Sequence, residues 1–134
     1  MRPDQLVVSS NLDPGLDAQD LELSVGSPHN VLVQGPHVPV QGLLSTMMPS
    51  LRQPVAEWGS GPFLFRCGTL LVRDAVMSPE EQLTLLDWIG RTYRRTRVIT
   101  LSSVRLYSCV QRGEFLSDLY YRLNTIFIGF RGLD

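Results

Sequence analysis

Lysine is absent: all twelve basic side chains in the 134 residues are arginine, where an average composition would supply roughly eight lysines. Three origins fit a bias of this size. The gene is GC-rich, or its frame overlaps another gene, or side-chain amines that accept ubiquitin or acetyl groups are excluded. Each origin suits a small viral, phage or high-GC bacterial protein. Its chemical consequence is that every cation is a planar guanidinium, able to pair bidentately with carboxylate or phosphate and to stack on aromatic rings. Charge is scarce as well, at 19% of residues against about 25% in an average soluble protein, and the net charge of -1 argues against a general polyanion binder. Two cysteines, Cys67 and Cys109, are too few for a disulfide framework and read as free thiols. No apolar run approaches the ~18 residues of a membrane-spanning helix, and no charged segment followed by an apolar one opens the chain. These absences predict a soluble protein, cytoplasmic or otherwise intracellular, with no integral membrane segment.

Chemistry-bearing motifs are also missing. There is no G-x-S-x-G elbow, no phosphate-binding loop and no metal-ligand spacing. The only histidines, His29 and His37, occupy equivalent places in a short internal repeat, and no third ligand stands at zinc spacing from them. No catalysis, cofactor or metal is expected; the histidines read as exposed turn residues.

What is present is one strongly specified helix, from Ser78 to Arg95. Ser78 and Glu81 have the spacing of a capping box, and Pro79 falls at the first helical position, where its missing N–H is harmless. Leu83, Leu85, Leu86, Ile89 and Tyr93 share a face about 160° wide. Gly90 lies within that face and predicts a close backbone neighbour. Glu80 and Glu81 near the N-terminus, and Arg91, Arg94 and Arg95 near the C-terminus, complement the macrodipole.

Around this helix the chain reads as strands and loops. Leu6-Val7-Val8 reads as an edge strand, and Leu21, Leu23 and Val25 alternate as a second strand. The repeat from Pro28 to Gly42 reads as two extended segments able to pair as a hairpin, with Pro39 holding the second at a sheet edge. Residues 43–62 read as a loop-rich connection containing Trp58, which either anchors a partner or packs over a core edge. Phe63 to Arg73 carries apolar groups on both faces and reads as a central strand. Residues 97–110 read as one bent strand or two short ones. A second helix is predicted from about Glu114 to Asn124, and a terminal strand over Ile126 to Phe130. The resulting expectation is a single α+β domain over residues 1–134, with residues 1–20 a flexible arm. Its sheet is mixed or antiparallel, its N-terminal half is rich in strands, and its two helices lie in the C-terminal half.

Function is read from the arginines. Residues 91–112 hold six arginines and no acid. Arg91, Arg94, Arg95, Arg97, Arg105 and Arg112, with Tyr93 and Tyr107 as stacking rings, form a candidate surface for RNA or another anion. The leading expectation is a non-enzymatic, self-associating interaction module, a small viral accessory or structural protein, binding itself or another protein; RNA binding is the alternative.

Overall fold

In the computed structural model, residues 29–59, 67–92 and 96–133 are described, together with the backbone of 6–10. The order of elements is β1 (Leu6–Ser10), β2 (Val31–Gln34), α1 (His37–Met47), a 3-10 turn (Met48–Ser50), β3 (Val55–Glu57), β4 (Thr69–Val72), α2 (Pro79–Thr92), β5 (Arg97–Ser102), α3 (Leu106–Gln111), α4 (Ser117–Leu123) and β6 (Ile126–Phe130). They build one six-stranded sheet in the order β1-β6-β2-β5-β4-β3. Strands β6, β2, β5, β4 and β3 are parallel to their neighbours, and β1 alone runs antiparallel, along β6.

The α+β reading with a mixed or antiparallel sheet is therefore corrected. The fold is α/β, with a five-stranded parallel core whose strands alternate with helices, and one antiparallel edge strand. Parallel neighbours require a crossover, so the chain must supply a helix or long connection between them. Three segments account for the misreading. The second half of the repeat is the helix α1, not an edge strand: Pro36 is its N-cap and Pro39 lies in its first turn, where proline removes no intrahelical bond. Val40, Leu44 and Met47 then return to the core at i, i+4 and i+7. Residues 43–62 are less loop-rich than expected, since they complete α1, form the 3-10 turn and supply β3. Residues 97–110 are not one bent strand or two short ones: the strand ends at Ser102, and Leu106–Gln111 is helical.

Both sheet faces are covered, which is why central strands such as β4 and β5 are buried at every position. On one face Val31, Val33, Leu71, Ile99, Leu101, Ile126 and Ile128 pack with Val40, Leu44 and Met47 of α1. On the other, Leu32, Leu70, Val72 and Val98 pack with Leu85, Trp88 and Ile89 of α2, and with Leu106, Phe115, Leu119 and Leu123. The edge strand β1, the α2 helix, the second C-terminal helix and the terminal strand stand where the sequence places them. The predicted strand at residues 21–25, most of the predicted arm and Phe63 to Arg66 lie outside the described residues.

The capping box of α2 forms in both directions: the Glu81 N–H donates to Ser78 Oγ (3.2 Å) and the Ser78 N–H to Glu81 Oε1 (3.3 Å). Its buried face is rotated from the expected one. Leu83 is 59% exposed, while Gln82, Leu85, Trp88, Ile89 and Thr92 are buried. Gly90 has open space where a Cβ would stand, so no backbone packs against it. The rotation follows from Gln82. Its Nε2 donates to the carbonyls of Met77 (3.1 Å) and Glu114 (3.0 Å), and its Oε1 accepts from the Leu116 N–H (2.8 Å). A buried amide with three backbone partners ties α2 to the α3-α4 connection.

Candidate functional site

The carboxyl ends of the parallel strands carry the most suggestive geometry. From β2 the chain crosses to β3 on one side of the sheet, and from β5 it crosses to β6 on the other, so the connections diverge between β2 and β5. In open α/β sheets the crevice at such a switch point is the usual ligand site. Here a crevice of about 330 Å³ opens there. Gly35, His37, Val40 and Gln41 line it from the β2-α1 junction, Arg73 and Asp74 from the end of β4, and Leu101, Ser102 and Ser103 from the end of β5.

Most polar groups around this crevice already have partners. The Gly35 N–H donates to the Ser102 carbonyl (3.0 Å), joining the ends of β2 and β5. The Ala75 N–H donates to the Leu101 carbonyl (3.0 Å). Arg73 Nε donates to Glu57 Oε1 (2.6 Å), and Asp74 Oδ1 accepts the Val76 N–H (3.0 Å). Ser102 Oγ donates to the Val104 carbonyl (2.7 Å) and accepts from its N–H. Gln34 Oε1 accepts the Leu106 N–H (2.9 Å), fixing the start of α3.

The described arginines among those singled out by the sequence are not all on one surface. Arg97 is only 7% exposed; its Nε donates to the His29 carbonyl (2.7 Å) at the opposite end of the sheet, and burial lowers its pKa to about 10. Arg91 pairs with Asp87 (2.8 Å) on the exposed side of α2, and Arg112 pairs with Glu114 (2.6 Å), a carboxylate that raises the Arg112 pKa. Tyr93, Arg94 and Arg95 lie outside the described residues. Three candidates do meet: Arg105, whose Nη2 donates to the Leu133 carbonyl (2.9 Å), lines one groove with Tyr107, Tyr120, Phe127 and Arg131, and a second with Arg112. The Tyr107 ring stands 5.4 Å from that of Tyr120, tilted by 52°. Trp58 packs half-buried against the core that includes α2, and its N–H donates to the Leu71 carbonyl (2.9 Å). Cys67 and Cys109 are free thiols, and burial raises the Cys67 pKa. Among the described residues no three His, Cys, Asp or Glu side chains group as metal ligands, and no helix is long and apolar enough to cross a membrane.

Known proteins sharing this architecture give the crevice its context. No family model matches the chain. It is similar to NtrX from Brucella abortus solved in complex with ATP, with a TM-score of 0.66 and 15% identity over 85% of this chain and 34% of that one. It is also similar to the P-loop NTPase domain of a sigma-54 transport activator from E. coli, with a TM-score of 0.55 and 19% identity, covering 78% of this chain and 99% of that domain. By sequence, 61 residues are 41% identical to the HTH-type transcriptional regulatory protein TyrR of Enterobacter agglomerans, a stretch that is 37% of this chain and 12% of TyrR. The chain therefore spans about a third of NtrX and about an eighth of TyrR. These likenesses place the fold with P-loop NTPase-like α/β domains. They also correct the reading of the chain as a small viral accessory or structural module, because the similar proteins are bacterial and TyrR is a transcriptional regulator.

A P-loop joins a strand to a helix through G-x-x-x-x-G-K-[ST], with backbone N–H groups cradling phosphates and the lysine reaching them. The strand and helix here have that relation, but residues 35–42 read Gly-Pro-His-Val-Pro-Val-Gln-Gly. Only the first position agrees. Val40 stands at the second glycine, Gln41 at the lysine and Gly42 at the hydroxyl residue. The residues present do not fit a bound nucleoside triphosphate.

Proposed function

We propose that this chain is a domain of a bacterial transcription regulator, built on the P-loop NTPase fold and acting through contacts with other proteins in the cytoplasm. The observation that carries this reading is the 41% identity to TyrR over 61 residues, which accompanies a fold shared with NtrX and a sigma-54 activator domain. A regulatory domain of this kind needs a rigid scaffold and variable loops, and the two covered sheet faces supply the scaffold.

The test is transcriptional. Excising the segment for residues 29–133 from its gene and sequencing host RNA should change output from a limited set of promoters, and restoring the segment should reverse the change. An unaltered transcript profile would sink the reading.

A further inference from the structure

We infer that this domain neither binds nor hydrolyses a nucleoside triphosphate: the loop in the P-loop position lacks the backbone donors, the second glycine and the lysine that hold phosphate. This goes beyond the regulator reading, because it removes nucleotide from the control of the domain.

Backbone donors are few at this helix end. A phosphate cradle is a row of backbone N–H groups aimed at one point at a helix N-terminus. At the start of α1, Pro36 and Pro39 carry no N–H, the Gly35 N–H is held by the Ser102 carbonyl (3.0 Å), and the Val40 N–H is held by the Pro36 carbonyl (3.2 Å). From Gly35 through Val40, only His37 and Val38 retain an N–H outside these bonds.

A side chain also takes the place of the second glycine. Val40 is 4% exposed and packs in the core with Leu44, so the place where a second glycine would admit phosphate is filled by an isopropyl group. Gly35 has a packing explanation, since an added Cβ would stand 2.7 Å from Phe130 Cβ.

Concentrated positive charge is lacking as well. A triphosphate needs concentrated positive charge. Gln41 is neutral where the motif has lysine, and the chain has no lysine elsewhere. Arg73 lines the crevice but is paired with Glu57, and the adjacent Asp74 brings negative charge.

The decisive experiment is a titration of the unaltered protein with MgATP and MgADP by calorimetry, with phosphate release followed in parallel. No saturable binding at millimolar nucleotide and no release above the buffer rate are expected. Saturable binding by the wild type would overturn the inference while leaving the regulator reading, which stands on promoter output, intact. A variant carrying Pro39→Ala, Val40→Gly, Gln41→Lys and Gly42→Ser should gain MgATP binding. Because Val40→Gly removes core packing, Gln41→Lys alone is measured beside it, with circular dichroism confirming both folds. A folded variant set with no gain would overturn the assignment of the loss to this loop.

Discussion

Among the described residues, the two longest helices begin in opposite ways. At α2, Ser78 and Glu81 satisfy each other's backbone N–H groups, and two glutamates complement the dipole. At α1 the N-cap is Pro36, no side chain caps the turn and the first turn holds no acid. The first arrangement saturates donors with side chains; the second deletes donors with proline. Either leaves fewer donors for an external partner at a helix end, yet of the two only α1 abuts the crevice at the sheet's switch point. The position where the fold ordinarily recruits an anion is the position this chain has silenced.

The largest effect tests whether the two helices are equally bound to the sheet. Leu44→Ala in α1 and Leu85→Ala in α2 remove side chains that are 4% and 0% exposed, and each should cost about 2–5 kcal/mol in denaturant unfolding. A much smaller cost at Leu44 would break the picture of α1 as a core helix. Next comes Gln82→Ala, which strands backbone groups of Met77, Glu114 and Leu116 and should cost about 1–3 kcal/mol, with hydrogen exchange accelerated in the α3-α4 connection.

The caps give a sharper contrast. Ser78→Ala should destabilise by about 1 kcal/mol, whereas Pro39→Ala should change stability by less than about 1 kcal/mol, because proline in a first turn removes no intrahelical bond. Equal losses at both sites would contradict the comparison. Smallest of all, Gly90→Ala should raise stability by about 0.5–1 kcal/mol, since nothing stands within 4 Å of an added Cβ; a loss in the same unfolding assay would show a hidden neighbour.

How far the sequence could be read depended on whether local or distant chemistry governs each segment. The box at Ser78 and Glu81 is closed by residues three apart, so spacing alone exposes it. Leu6-Val7-Val8 and Ile126 to Phe130 declare themselves as strands by composition. The α1 helix was hidden because Pro36 and Pro39 argue for extended chain until the burial of Val40, Leu44 and Met47 outweighs them. Leu106–Gln111 was hidden because its six residues suit a strand as well as a helix, and Gln34 from a distant strand sets its start. The candidate site was less legible still. Its lining comes from three strand ends far apart in sequence, at Gly35, Asp74 and Ser102, and the failed motif at residues 35–42 is visible only once β2 and α1 are known to be strand and helix.

What the sequence by itself determined is the arginine-only cation set, the capped α2 and the apolar strands with both faces loaded, all consequences of composition or of spacing within a few residues. What only the tertiary structure decided is the parallel order of those strands, the burial of Arg97 and Gln82, and the crevice where β2 and β5 part. Parallel pairing depends on crossovers between segments distant in sequence. The state of a polar side chain depends on which distant carbonyls surround it, and neither quantity is encoded in neighbouring residues.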